Sequence, residues 1–586
     1  MQARHTLLLD GASLPARELV GGKAWSLARM RALGLNVPPA FVVTTETCKQ
    51  FHESGGVMPA GLMDEVMAGV AWLEKTTGRR LGAAQRPLLV SVRSGAPVSM
   101  PGMMDTVLNL GMSDDSELAL ARETGAPGFA RDTHRRFCEM FARIVLRAEI
   151  GALDPSDGPA GWRAAIAARG CGEVPADPAA QLESAIRAVF HSWNGRRARK
   201  YRQHHGVPEA MGTAVTVQAM VFGNSDERSG TGVLFSRNPL TGDPVPYGEY
   251  LARAQGEDVV SGSHTPEGLD ALARRMPEVH RELLSACAVL ERDNGDVQDI
   301  EFTVERGRLY LLQARPAKRS PAAAVRCAVD MVREGRIGPP EALSRVSAEQ
   351  VRLLLRPRLP AGFDPSAASV LARGEAASPG VGAGVVAADA DEAERLHALG
   401  HAVVLARPTT SPEDVHGMLV AAAIATEKGG STSHAAVVSR QLGVPCVVGC
   451  GEGALAGLAG RMVTVDGTSG RVFEGALPVE QPSAGSDPAL AALLEWASAE
   501  APLRVLPAGC GVPRATLDLD AIEGGEDPAR TAGLLAGTRG ASGSVLNTDA
   551  GVQAAVEAGL EFIVVREVLP ALLAACAARR HAAAAA

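Results

Sequence analysis

Apolar residues fall in short runs along some stretches of this chain and at helical spacing along others, which predicts strands and helices mixed throughout its length. A strand candidate at 7–10 precedes a helical pattern that continues to Leu33, and an apolar run over 90–93 reads as a buried strand. Helical patterning dominates 112–205, most plainly over 179–193. Strand-like stretches return at 212–224 and 230–237, the second closed by Asn238-Pro239 and the turn Thr241-Gly242-Asp243. A hairpin follows, with 299–304 and 309–316 as its arms and Gly307 between them.

Beyond residue 316 the pattern changes. Amphipathic helices over 323–335 and 348–355 end at Pro357 and Pro360, either as a semi-rigid arm or as an ordinary packing pair. Strands at 402–405, 421–425, 446–448 and 462–465 then outline a compact unit ending near 472–475. The last stretch predicts a helix over 488–500 capped by Asp487, strands at 544–546 and 561–565 around a helix at 551–559, and a frayed tail from 582. The division expected is 1–316, a helical linker 317–370, a unit 371–478 and a small region 479–586. At 586 residues the chain is too long for one folding unit.

Chemistry concentrates in four places. In Glu427 to Gly443 a buried strand leads through Gly429 and Gly430 into Ser431-Thr432-Ser433-His434, where capping residues start a helix that Gly443 stops. His434 then sits at a helix N-terminus, whose free N–H groups favour an attached phosphate, although a structural histidine would fit the same local pattern. Gly21-Gly22-Lys23 lacks the spacing of a Walker loop; its glycines could admit phosphates beside Lys23, or Lys23 could be a surface lysine. Ser91 to Thr106 places Arg93 at a strand end beside a Gly/Ser/Pro/Met-rich loop, suited either to clamping a polyphosphate or to solvent. Period-two alternation puts Asp299 and Glu301 on one face and Gln313 with Arg315 on one face of the neighbouring strand, a set that fits magnesium or a salt bridge to Arg315.

The wording of these segments resembles the pyruvate phosphate dikinase family. Thr-Ser-His-Ala-Ala-Val-Val behind two glycines, with Thr-Ser-Pro-Glu-Asp-Val-His-Gly-Met at 410–418, is similar to that family's phosphohistidine domain. Ser-Val-Arg-Ser-Gly-Ala, Ser-Met-Pro-Gly-Met-Met-Asp-Thr, Gly-Glu-Tyr-Leu, Gln-Gly-Glu-Asp-Val-Val and Glu-Phe-Thr-Val-Glu are similar to its nucleotide-binding domain. The resemblance implies an ATP-grasp type domain with a helical insert, a helical linker and a swivelling β/α phosphohistidine domain. It implies His434 as the phosphorylated residue, with Gly430, Thr432 and Ser433 supporting it, and Arg93 as a catalytic partner. It further implies ATP contacts from Lys23, Arg93, Ser99, Met100, Gly102, Met103, Asp105, Thr106, Gln218, Met220, Gln313 and Arg315, and magnesium on Asp299 and Glu301. Inorganic phosphate as co-substrate and a monovalent cation complete that expectation. Pro97 and Ser431 depart from the family pattern, standing where an arginine and a methionine are usual.

After residue 477 about 110 residues remain, whereas an eight-fold βα barrel needs on the order of 250. The family's pyruvate-binding barrel is therefore not expected here, and the last region reads as a small βα domain or a vestige of that barrel. The phosphoryl acceptor is then either pyruvate on a separate barrel protein or another small molecule; a nucleotide-responsive regulator is the non-enzymatic alternative. A net charge of -8 argues against nucleic-acid partners. Neither a leader pattern nor a membrane-length apolar run is evident, so a cytoplasmic protein is expected, with a homo-oligomer left open. Nine scattered cysteines suggest free thiols, with Cys446 and Cys450 as core or turn residues.

Overall fold

The computed structural model describes residues 4–98, 100, 104–260, 265–355, 358–359, 363–364, 368–442, 444–477, 482–509, 516–522, 524–525 and 527–585. It is a mixed α/β architecture with four main sheets, of five, five, eight and four strands. The first sheet runs in the order Thr6–Leu8, Ala40–Val43, Ala214–Ala219, Val90–Gly95, Thr106–Leu110. One of its faces is covered by the predicted helical insert, whose helices from Asp114–Thr124 to Arg196–His204 bury Phe137, Phe141, Trp162 and Phe190 against Phe41, Val92 and Val217. The other face packs on the helix Arg17–Ala32, which also contacts the second sheet through Val20, Ala24 and Leu27.

That second sheet is antiparallel, in the order Glu267–Gly268, Tyr247–Ala252, Gly230–Phe235, Gln298–Glu305, Arg308–Pro316. The hairpin expected near its end is present, pairing Asp299 with Arg315 and Glu301 with Gln313, with a bulge after Glu301. Ile300, Phe302 and Val304 point into the core, so the alternating Asp299 and Glu301 face the opposite way.

The amphipathic helices after residue 316 pack against the C-terminal part of the chain. Pro321–Arg333, Pro339–Arg345 and Ala348–Leu354 share one hydrophobic core with Pro488–Glu500, Val568–Ala585 and the four-stranded parallel sheet Arg504–Pro507, Phe562–Val565, Gly540–Ser542, Thr516–Asp518. Linker and C-terminal region are thus one base, and the eight-stranded unit with strands from Val370–Arg373 to Arg471–Glu474 is inserted into it. Val325, Val329 and Leu343 pack with Leu490, Leu493 and Leu572, a partnership across more than a hundred residues that helical periodicity cannot announce. Two local expectations also change: 544–547 form a short 3-10 helix after the strand Gly540–Ser542, and the C-terminal helix continues to Ala585 where fraying was expected. No helix among the described residues is long and apolar enough to cross a membrane.

Base and first unit are joined by a buried ion network. Arg237, 2% exposed, bonds Glu291 at 3.0 Å and Glu334 at 2.7 Å, and Ser236 donates to Glu291 at 2.5 Å. Removing Arg237 would leave the buried Glu291 with Arg336, at 2.6 Å, and the Ser236 hydroxyl. Arg237→Ala is expected to lower unfolding free energy by about 3 kcal/mol in a urea titration.

Candidate functional site

Lys23 reaches the site because the helix Arg17–Ala32 is broken at Gly21, whose φ of +75° suits glycine. A Cβ there would stand 1.8 Å from the Gly95 carbonyl oxygen, and Gly22 N–H donates to Ala96 at 3.0 Å. The two glycines thus let the helix start lie on the end of the strand Val90–Gly95. Lys23 Nζ donates to the Ser94 carbonyl at 2.9 Å, next to Arg93, whose guanidinium donates to Glu301 at 3.4 Å. Across the hairpin Arg315 donates to Asp299 at 2.8 Å, so the predicted salt bridge exists and uses one carboxylate oxygen. The second, Asp299 Oδ1, is buried without any hydrogen-bond partner.

The inserted unit presents His434 to the same place. The helix His434–Leu442 starts as expected: Ser433 Oγ accepts from the Ala436 N–H at 3.5 Å, and Gly429 takes a φ of +108° in the approach. Gly443 lies outside the described residues. His434 Nδ1 is 3.1 Å from Thr410 Oγ1, and Nε2 is buried with no hydrogen-bond partner. When Nδ1–H donates to Thr410, the lone pair is on Nε2.

One cavity of about 830 Å3 is lined by Lys23, Arg93, Met100, Met104, Thr106, Glu301, Gln313 and Arg315 on one side and by Thr410, Thr432 and His434 on the other; Asp299 is not among its lining residues. Ser99, Gly102 and Met103 lie outside the described residues. Asp105 turns instead toward Arg197, at 3.9 Å. Gln218 and Met220 do not line this cavity: the Gln218 amide donates to the Pro38 carbonyl inside the first sheet, and Met220 lines a separate cleft. Gln218 sits near the end of the strand Ala214–Ala219 and Met220 just after it, past the phosphate end.

Electrostatics favours a polyanion. Burial, then the guanidinium of Arg93, pushes the Lys23 ammonium down to about 7. Burial lifts the Asp299 carboxyl above its ordinary range despite Arg315. Burial opposes Glu301 as well, yet Arg93, Arg315 and Lys23 together hold its carboxyl below the ordinary range. Burial lowers His434 too, against the pull of Asp414, so the imidazole is neutral at neutral pH and can act as a nucleophile. Arg93, Arg315 and a Lys23 that is cationic when phosphates are bound leave room for phosphate charge beside the two carboxylates.

Sequence reasoning missed the groups that seat the inserted unit. Glu249 accepts from Ser431 Oγ at 2.7 Å and Thr432 Oγ1 at 2.6 Å, and Tyr247 OH is 3.0 Å from both Ser431 Oγ and Glu375. The buried Arg440 donates to the Ser431 carbonyl at 2.8 Å. Gly430 packs directly on Glu249, where a Cβ would lie 2.9 Å from Oε1. The one available signal was Gly-Glu-Tyr-Leu, a carboxylate in the middle of an otherwise apolar strand.

Among the described residues no group of three or more His, Cys, Asp or Glu could hold a metal ion. The pair Asp299 and Glu301 nevertheless fits magnesium, which commonly takes one or two protein carboxylates and completes its shell with water and phosphate oxygens; the unpartnered Asp299 Oδ1 is one such position. The eight cysteines among the described residues are free, with Cys446 in a buried strand.

Comparison with known proteins places these elements. Residues 17–61 and 56–283 match the family model of the pyruvate phosphate dikinase AMP/ATP-binding domain, and 399–470 match that of the PEP-utilising enzyme mobile domain. The chain is 44% identical over 527 residues to pyruvate, phosphate dikinase 1, chloroplastic, of Zea mays, covering 84% of this chain and 55% of that protein. It is 42% identical over 530 residues to pyruvate, phosphate dikinase of Rhizobium meliloti (strain 1021), covering 82% and 58%. The chain therefore spans somewhat more than half the length of these curated relatives.

Proposed function

Because the chain belongs to the pyruvate phosphate dikinase family, we propose that it is an ATP-dependent phosphotransferase in which His434 takes a phosphoryl group from ATP held in the first cavity. The observation that carries this reading is the shared cavity: a neutral imidazole with an unpartnered Nε2 opens onto the same space as Lys23, Arg93, Glu301 and Arg315. Two antiparallel sheets facing each other across residues 1–316 support an ATP-grasp arrangement. Insertion of the His434 unit between two segments of the base supports a swivelling carrier, 371–478, that visits the nucleotide in this pose and an acceptor in another.

In the proposed reaction Lys23 and Arg93 hold the phosphates, and Met100, Met104 and Thr106 line the cavity around them. The His434 Nε2 lone pair bonds to the β-phosphorus as the bond to the α–β bridging oxygen breaks, its electron pair leaving with AMP. Inorganic phosphate then attacks the γ-phosphorus and departs as pyrophosphate, leaving one phosphoryl group on Nε2. Thr410 keeps the proton on Nδ1, and the start of the helix His434–Leu442 stabilises the bound phosphate. Magnesium, when bound by Asp299 and Glu301, would neutralise developing phosphate charge. The acceptor is a small molecule, pyruvate or another.

Product analysis tests this. Incubation with ATP should release AMP and, only when inorganic phosphate is present, pyrophosphate in equal amount. ADP as the sole nucleotide product would sink the reading. A second expectation follows from Lys23: with its amine near 7, the free protein at pH 8 holds it mostly neutral, and bound phosphates favour the cation. ATP binding should therefore draw in a fraction of a proton at pH 8 and almost none at pH 6, read as the buffer dependence of the calorimetric enthalpy, and Lys23→Met should lose that uptake.

A further inference from the structure

The inserted unit meets the second sheet through a row of four oxygens. Glu375 Oε1 is 3.0 Å from the Tyr247 hydroxyl, Tyr247 is 3.0 Å from the Ser431 hydroxyl, and Ser431 is 2.7 Å from Glu249 Oε1. Ownership alternates along the row: Glu375 and Ser431 belong to the inserted unit, Tyr247 and Glu249 to the strand Tyr247–Ala252 of the second sheet. Each of the three contacts therefore crosses from one unit to the other, and all of them break when the units part.

Three contacts of hydrogen-bond length need three protons, and the two hydroxyls supply two. With both carboxylates ionised, Tyr247 donates either to Glu375 or to Ser431, and the contact left over sets two lone pairs against each other. One added proton on Glu375 completes the row: Glu375 donates to Tyr247, Tyr247 to Ser431 and Ser431 to Glu249. Glu249 stays ionised, since it also accepts from the Thr432 hydroxyl at 2.6 Å and from the Ser431 N–H at 3.2 Å. Among the described residues neither carboxylate has an ion-pair partner. The cation facing the row is Arg440, which donates to the Ala377 and Ser431 carbonyls at 3.0 and 2.8 Å and whose charge reaches Cys446, Asp299, Tyr247 and Glu249. Burial first, then the negative charge of Glu249, lifts the Glu375 carboxyl above its ordinary range, against hydrogen bonds from Tyr247 and Ser431. Burial and the Glu375 charge lift the Tyr247 phenol as well, so it keeps its proton.

We propose that the inserted unit docks on the second sheet by taking up one proton, held on Glu375 and relayed through Tyr247 and Ser431 to Glu249, and that Glu375 is thereby a positioning residue for the loading of His434. Its bearing on loading rests on the phosphotransferase reading above. When the units part, Glu375 returns to water and to the ordinary carboxylate value of about 4.3. Docking is therefore strongest in acid, weakens as pH rises through the raised value that Glu375 has when docked, and levels off above it.

Two measurements on the full chain at pH 6 and pH 9 test this: the initial rate of His434 loading at saturating β-labelled ATP, and the docked fraction from small-angle X-ray scattering without nucleotide. Glu375→Gln supplies Tyr247 with a donor that does not titrate, so it should stay docked at pH 9, where the native chain should extend. The ratio of Glu375→Gln to native loading should rise about fivefold or more from pH 6 to pH 9, the titrations of Lys23 and His434 being common to both proteins. Ser431→Ala, which cuts the row, should be less docked than the native chain at pH 6 and insensitive to pH. A native docked fraction that does not change between pH 6 and pH 9, or a loading ratio that stays flat, overturns the proposal. Docking that falls with pH in the native chain and not in Glu375→Gln, with neither protein loading His434, supports it and removes the phosphotransferase reading alone.

Discussion

Replacing His434 with alanine is expected to abolish acid-labile labelling of the protein by β-labelled ATP, while nucleotide affinity and the unfolding midpoint stay near native. The side chain is half-buried and makes one hydrogen bond, to Thr410, so little of the fold depends on it. In the proposed reaction the phosphoryl chemistry depends on it, because Nε2 is the one unpartnered nucleophilic nitrogen the inserted unit brings to the cavity among the described residues. Thr410→Val separates nucleophile from positioning: the ring remains, but Nδ1 loses the partner that fixes the tautomer. Labelling should then slow by about tenfold rather than vanish, the scale of one lost hydrogen bond in an orienting role. Retention of label in His434→Ala would mean that another residue carries the phosphate.

Arg93→Ala is expected to slow loading of His434 by about 10²–10³-fold, the usual consequence of removing one group that stabilises charge developing in a transition state. Its position argues for so large an effect. Arg93 sits at the end of the strand Val90–Gly95 on Glu301, beside Lys23, and is 15% exposed, so its charge acts in a site partly shielded from water. Its loss also reaches the neighbours: Glu301 would lose the cation that contributes most to keeping it ionised, and Lys23 would titrate higher without that positive charge beside it. Arg93→Lys should recover little, since an ammonium cannot engage Glu301 and a phosphate with the spread of a guanidinium. Single-turnover kinetics checks both variants.

Much of this arrangement was legible from local pattern. Ser433 as the cap, His434 at the helix start and the Asp299/Glu301 face follow from short-range rules, and the structure keeps each of them. Gly21 and Gly22 were read as letting the backbone approach phosphates; in the structure they let it approach Gly95 and Ala96, which only the fold reveals. What pattern could not supply was partnership over distance. Glu249 meets Ser431 and Thr432 from a strand nearly two hundred residues earlier, and Ser431, a departure from the usual family wording, is accommodated because its hydroxyl completes that contact. The linker helices and the C-terminal region each showed an apolar face, but periodicity says which face is buried and not against what. The displaced strand near 544 has the same cause: Val545 and Leu546 are buried as a strand's residues would be, yet they belong to a short helix that packs beneath the sheet.

The central claim is that His434 accepts phosphorus from a nucleotide bound between the two five-stranded sheets. Peptide mass spectrometry at alkaline pH, after incubation with ATP and inorganic phosphate, addresses it most directly. The account predicts one phosphoryl group on the peptide containing His434, lost on acid treatment and much reduced in Arg93→Ala. ATP consumed with His434 unmodified, or a phosphoryl group on any other residue, would contradict it.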